Sequence, residues 1–183
     1  MGNIYLFLAE GFEEVEALAV VDIVRRAGLA IKTVSVTGQE SVSGAHGVSV
    51  KADMLFDAAT IEREGIMLVL PGGLPGATNL AAHEGLRQVI LNFNAANRLL
   101  AAICAAPMVY GQLGILKGKN ATCYPSFEHY MEGANATGAM VEQDANFITG
   151  KGPGAALDFA FAIVTKLAGE EKTAEVKAGM LLA

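Results

Sequence analysis

Short apolar runs alternate along the chain with longer stretches in which apolar residues recur every third or fourth position. Residues 4–9 (IYLFLA), 66–70 (IMLVL) and 99–103 (LLAAI) are unbroken runs, and residues 31–36 (IKTVSV) form a more polar one. Runs of this length and composition predict strands covered on both faces of a parallel sheet. Residues 13–27 carry Val15, Leu18, Ala19, Ile23 and Arg26 at helical spacing, and Gly28 stops that helix. Residues 84–97 predict a second helix. Pro153 opens a third that continues over 155–168, and residues 170–178 add a short last one. Residues 41–51 (SVSGAHGVSVK) alternate about a glycine-containing turn, which predicts a hairpin. Between 121 and 150 the pattern is weaker and predicts only short strands near 121–123, 139–141 and 147–149. Strands alternating with helices imply a three-layer α/β/α sandwich with a mainly parallel sheet. With no internal repeat, linker or low-complexity segment, one domain over 1–183 is expected.

Composition narrows the functional classes. Apolar residues make up 52% of the 183 and charged ones 17%, which excludes a disordered chain. A net charge of −6, no tryptophan and no basic run argue against nucleic acid or an anionic membrane as partner. No apolar run approaches the roughly 20 residues of a membrane span. Residues 4–9 are too short for a signal peptide and run into Glu10, Glu13, Glu14 and Glu16, so the cytoplasm is the expected location. Two cysteines in a chain of this size suggest a reducing compartment. Cys104 and Cys123 form no metal-ligand spacing with His46, His83 and His129, and no metal is expected.

In such a sheet, ligands collect beyond the carboxyl ends of the strands. Three groups fall there. Cys104 follows the strand at 99–103 and precedes Pro107, a placement that fits a nucleophile on a sharp strand-to-helix turn. A helix N-terminus facing its sulfur would lower the thiol pKa. Pro71-Gly72-Gly73 ends the strand at 66–70, where glycine lets a backbone N–H approach a ligand closely. Glu13, Glu14 and Glu16 open the helix after the first strand, where a carboxylate could accept a proton. Successive helical residues turn by about 100°, so the three cannot all face Cys104. Taken singly, each feature also fits a plain structural role: a free cysteine among alanines is a small core residue, and an acidic helix start is a cap. Cys123, at a strand end with no base nearby, is read as structural.

Together, GFEEVEA at 11–17, VLPGG at 69–73, AAICAAP at 101–107 and GPGAALDFA at 152–160 resemble the DJ-1/ThiJ/PfpI superfamily, in the branch of DJ-1 and the bacterial ThiJ-like proteins. The resemblance runs over essentially the whole chain, in order and without large gaps. It implies a flavodoxin-like sandwich, similar to class I glutamine amidotransferases, that forms a homodimer through the first helix, where Val15, Ala19 and Ile23 are too apolar for a free surface. It makes Cys104 the reactive cysteine on a nucleophile elbow and Glu16 the acid that hydrogen-bonds its sulfur. It makes the backbone N–H groups of Gly73 and Ala105 an oxyanion pocket. Gly72, Tyr124 and His46 would complete the substrate pocket, with Arg26 bordering it at the dimer interface.

Two positions depart from the family pattern. Tyr124 stands where many members place a histidine, and a phenol is not a base at neutral pH. His46 stands where a basic residue is expected near the hairpin. The activity these residues suit is that of a glyoxalase III or deglycase, active on methylglyoxal or a related 2-oxoaldehyde in carbonyl and oxidative stress, with no metal or organic cofactor. The alternative is a non-enzymatic redox sensor or chaperone in which Cys104 is oxidised beside a protonated Glu16.

Overall fold

The computed structural model describes residues 2–182. Its first half comprises β1 (Asn3–Leu8), α1 (Glu14–Arg26), β2 (Ile31–Ser35), β3 (Ser41–Ser43), β4 (Ser49–Lys51), β5 (Met54–Leu55), α2 (Ala58–Glu64) and β6 (Gly65–Leu70). The chain continues through α3 (Gly76–Ala82), α4 (Glu84–Ala95), β7 (Leu99–Ile103) and α5 (Pro107–Gln112). It ends with β8 (Asn120–Ala121), β9 (Asn135–Ala136), β10 (Val141–Asp144), β11 (Phe147–Gly150) and α6 (Ala156–Gly179).

Seven strands form the central sheet in the order β10-β11-β7-β6-β1-β2-β5. All neighbours are parallel except β10 and β11. The apolar runs are unbroken because each strand serves two cores. Along β1, Ile4, Leu6 and Leu8 pack into one cluster and Tyr5 and Phe7 into the other. β6 divides in the same way, Met67 and Val69 against Leu68 and Leu70. The first cluster is closed by α1 and α6 through Val20, Ile23, Phe159 and Ile163; the second by α2 to α5 through Ile61, Leu80, Ile90, Phe93 and Tyr110. Each fully buried Leu, Ile or Phe contributes about 1.5–3 kcal/mol.

Strand order reverses direction of growth at β1, with β2 on one side and β6 on the other. The crevice such a reversal opens at the strand carboxyl ends is where α/β sheets bind ligands. The residues after β1, β6 and β7 meet near it. The hairpin β3–β4 stands apart from the central sheet and is tied to it beside α1, where Phe12 bridges Gly44.

Several boundaries differ from the sequence expectation. The strand expected near 139–141 lies at β10, two residues further on. The two helices expected over 155–168 and 170–178 are present as the two segments of α6, which meet at Gly169, where φ 86° and ψ 171° are not helical. α2 and α3 were not anticipated.

Candidate active site

Cys104 is the residue that leaves β7. Its φ is 65°, a left-handed conformation that a residue bearing a Cβ seldom adopts. Strain of this kind costs about 1–3 kcal/mol and persists only where the surroundings over-determine it. Here both backbone groups are tied: the Cys104 N–H donates to the Gly150 carbonyl at 2.9 Å, and its carbonyl accepts from the Tyr124 N–H at 2.8 Å. The turn brings the side chain to the edge of a cleft of about 420 Å³. Pro107 then begins α5 at a position where its missing N–H costs nothing.

Glu16 approaches from α1. The start of that helix is joined to the end of β6 by two reciprocal bonds: Glu13 N–H donates to the Gly72 carbonyl at 2.9 Å, and Gly72 N–H donates to Glu16 Oε2 at 2.7 Å. Gly72 has to be glycine. A Cβ there would stand 2.6 Å from the Cys104 Cβ and 2.8 Å from Glu16 Oε2. Gly73 follows with φ 86°, packed against the backbone of 11–13. Glu16 itself is fully buried, and its Oε1 has no hydrogen-bond partner among nitrogen and oxygen atoms of the described residues. An unpaired buried carboxylate oxygen is costly, which favours a proton on it.

Burial dominates the electrostatics of both groups. It pushes the Glu16 carboxyl up to about 7, aided by the charge of Glu13 and opposed by the Gly72 amide and the Cys104 thiol. Burial and the adjacent Glu16 carboxylate push the Cys104 thiol up to about 12, while the Gly73 and Ala105 amides pull it down. The thiol is therefore not depressed by the helix that follows it, as the sequence suggested. α5 has only six residues, and its dipole does not outweigh the loss of water and a neighbouring carboxylate. The two groups act as a pair sharing one proton between about pH 7 and 12. Cys123 is also pushed up to about 12 by burial and by Glu128, and it lies within the second core cluster and is not among the residues lining the cleft.

The sequence-proposed residues divide accordingly. Cys104, Gly73, Ala105, Tyr124 and His46 line the cleft together with Glu13, Leu74 and Phe127, while Glu16 and Gly72 lie directly behind the sulfur. Arg26 does not join them within one chain. It sits ten residues beyond Glu16 at the far end of α1, about 15 Å along the axis, and pairs with Asp22 on the exposed face at 2.7 Å.

Glu14 has a different task that the sequence reading missed. Its Oε1 accepts from the N–H groups of His46 (2.8 Å) and Val48 (3.3 Å), and its Oε2 meets His46 Nδ1 at 2.9 Å. These bonds outweigh burial and hold its pKa down to about 2. They pin the β3–β4 turn to the start of α1. The only sequence signal was a buried-face position among three glutamates, which carries no information about a hairpin 32 residues away. Glu13, Glu14 and His46 also bring three potential ligand atoms within 4.8 Å of one another, but both Glu14 oxygens are already engaged. His83 caps α4, its Nδ1 accepting from Leu86 N–H at 3.0 Å, and His129 lies in an exposed turn.

A strained cysteine on a strand-to-helix elbow, backed by a buried acid at the switch of a parallel sheet, defines a nucleophile-elbow α/β protein. The DJ-1/PfpI family profile matches residues 2–166, and the chain belongs to that family. It is 37% identical over 177 residues to protein DJ-1 homolog B of Arabidopsis thaliana, covering 96% of this chain and 40% of that one. The chain thus spans less than half the length of the two Arabidopsis relatives it matches. The Parkinson disease protein 7 homolog of Danio rerio is 35% identical over 97% of this chain and 95% of its own. A protein of Caenorhabditis elegans named glutathione-independent glyoxalase DJR-1.2 is 31% identical over 90% of this chain and 87% of its own. Among solved structures, oxidised DJ-1 of Toxoplasma gondii superposes with a TM-score of 0.93 at 31% identity, each chain covered completely. The flavodoxin-like sandwich expected from the sequence is therefore the fold. Among the described residues no helix is long and apolar enough to cross a membrane.

Proposed function

We propose that this protein is a cofactor-free glyoxalase that converts a 2-oxoaldehyde such as methylglyoxal, with water, to the 2-hydroxy acid. One observation carries the reading: the strained Cys104 elbow stands against the buried Glu16 at the edge of an open cleft. The C. elegans relative's name supports it.

The chemistry balances without an external oxidant. Transfer of the thiol proton to Glu16 leaves a thiolate, which attacks the aldehyde carbon and forms a C–S bond. The carbonyl electron pair moves to oxygen, and the Gly73 and Ala105 N–H groups hold that oxyanion. Glu16 protonates the oxygen, then as carboxylate removes the hydrogen on that carbon to give an enediolate and returns it to the adjacent carbon, while the proton of the first hydroxyl passes to the second oxygen. The first carbon is thereby oxidised and the second reduced, giving a thioester. Water attacks the thioester, the C–S bond breaks, and the hydroxy acid leaves with the thiolate restored. The same nucleophile could cleave an aldehyde-derived adduct from an amine or thiol, which is the deglycase form of the activity.

A second reading follows the oxidised state in which the T. gondii relative was solved. Two equivalents of peroxide would oxidise Cys104 through the sulfenate to a sulfinate, each leaving as water, the buried Glu16 Oε1 would donate its proton to a sulfinate oxygen, and the protein would sense oxidants or act as a chaperone. Lactate formed from methylglyoxal at steady state decides between them. The wild type should turn over and Cys104→Ala should not. Turnover retained by Cys104→Ala would remove the cysteine mechanism, and no turnover by either would leave the sensor.

A further inference from the structure

The cleft is larger and more aromatic than methylglyoxal needs. That aldehyde carries a single methyl group beyond its two carbonyl carbons, whereas the cleft measures about 420 Å³, within the range that takes drug-sized ligands. One wall is Tyr124 and Phe127, whose rings meet edge to face at 6.4 Å and 80°. Leu74 and Pro153 continue this apolar surface. Tyr124 is 47% exposed and Leu74 54%, so large apolar groups face water beside the nucleophile.

The wall is also fixed relative to the sulfur. The bond from Tyr124 N–H to the Cys104 carbonyl ties the two residues directly, and the ring lies against Gly152, where a Cβ would stand 3.2 Å from it. The lining also carries the Glu13 carboxylate, 3.6 Å from the one imidazole, His46, which the buried Glu14 meets at 2.9 Å. That excess of negative charge opposes anionic substrates such as 2-oxo acids.

We propose, resting on the 2-oxoaldehyde reading, that Tyr124 and Phe127 form a specificity subsite for the substituent of the aldehyde, and that the preferred substituent is an uncharged aryl group. The aldehyde carbon would sit at Cys104 while the aryl ring lies along the Tyr124 and Phe127 rings in offset or edge contact, the geometry aromatic pairs favour. The product from phenylglyoxal and water would be mandelate, formed by the same balanced steps.

The test has two arms. In the first, kcat/KM is measured for phenylglyoxal and methylglyoxal, with the wild type expected to favour phenylglyoxal about tenfold or more. Tyr124→Ala should reduce that ratio about tenfold and Tyr124→Phe should restore it, since only the ring is required. In the second arm, Cys104 is alkylated by N-phenyliodoacetamide and by iodoacetamide, a comparison that needs no turnover. Preference for the aryl reagent, lost in Tyr124→Ala, supports the subsite even if neither aldehyde is consumed, an outcome that would sink the glyoxalase reading alone. Equal use of both aldehydes, or ratios that Tyr124→Ala leaves unchanged, overturns the subsite while the glyoxalase reading stands.

Discussion

Cys104 and Glu16 show how little a residue's own chemistry settles before its neighbours are known. The elbow could be read from a cysteine between an apolar run and a proline, because a strand-to-helix turn needs local residues only. The thiol's ionisation could not, since it depends on burial and on a carboxylate that arrives from another element. The shared proton has a consequence for reactivity. Below about pH 7 both groups are protonated and the thiolate is lost; between about 7 and 12 the pair holds one proton, and the thiolate fraction stays constant. Alkylation of Cys104 should therefore climb as pH rises to about 7 and stay level to pH 9. Cys123, a lone buried thiol, should react more slowly and keep climbing. Mass mapping after limited iodoacetamide across that range checks both, and a Cys104 rate that rises steadily through pH 9 would mean that the proton is not shared.

The elements were legible where periodicity reflects burial. β1, β6 and β7 stood out as apolar runs because both of their faces are covered, and α4 because its inner face alternates Leu86, Val89, Ile90 and Phe93 with polar residues. α3 carried no such stripe: its sequence, GATNLAA, buries Gly76, Ala77 and Ala81 beside a single large apolar residue, Leu80, too few to announce a face. The hairpin was legible, but its attachment was not, because the anchor is Glu14 in α1. Glu14 contributes stability that is fully present above its ordinary carboxyl value and is lost as pH falls through about 2. Glu14→Gln leaves weaker, uncharged bonds to His46 and Val48, and should destabilise the protein by about 1–2 kcal/mol. Amide exchange at His46 and Val48 should quicken with it. Unchanged exchange there would show that β3–β4 is held by other contacts.

At the scale of the whole molecule, the family membership and the sheet order agree, and the assembly is the next level. Pairing through α1 was expected to use Val15, Ala19 and Ile23. Ile23 instead belongs to the chain's own core, whereas Val15 and Leu18 remain 55% and 40% exposed. The sequence could not separate these positions, because an apolar residue facing the sheet and one facing a partner look the same in a single chain. If α1 pairs with its copy, sedimentation at micromolar protein should give a mass near twice 19.0 kDa. Val15→Glu combined with Leu18→Glu should bring it to that of one chain. A single-chain mass for the wild type would remove the homodimer and with it any route for Arg26 to reach a site.

Glu16→Gln separates the acid and base roles of Glu16 from its support of a thiolate on Cys104. Glutamine keeps an oxygen for the Gly72 N–H and a donor for the sulfur, but it cannot carry a proton between carbons. Turnover of methylglyoxal and alkylation of Cys104 should be measured on the same preparation. Alkylation should be as fast as in the wild type, or faster because no carboxylate opposes the thiolate, with kcat lower by about 100-fold or more. Turnover at the wild-type rate in Glu16→Gln would mean that Glu16 is not the acid and base.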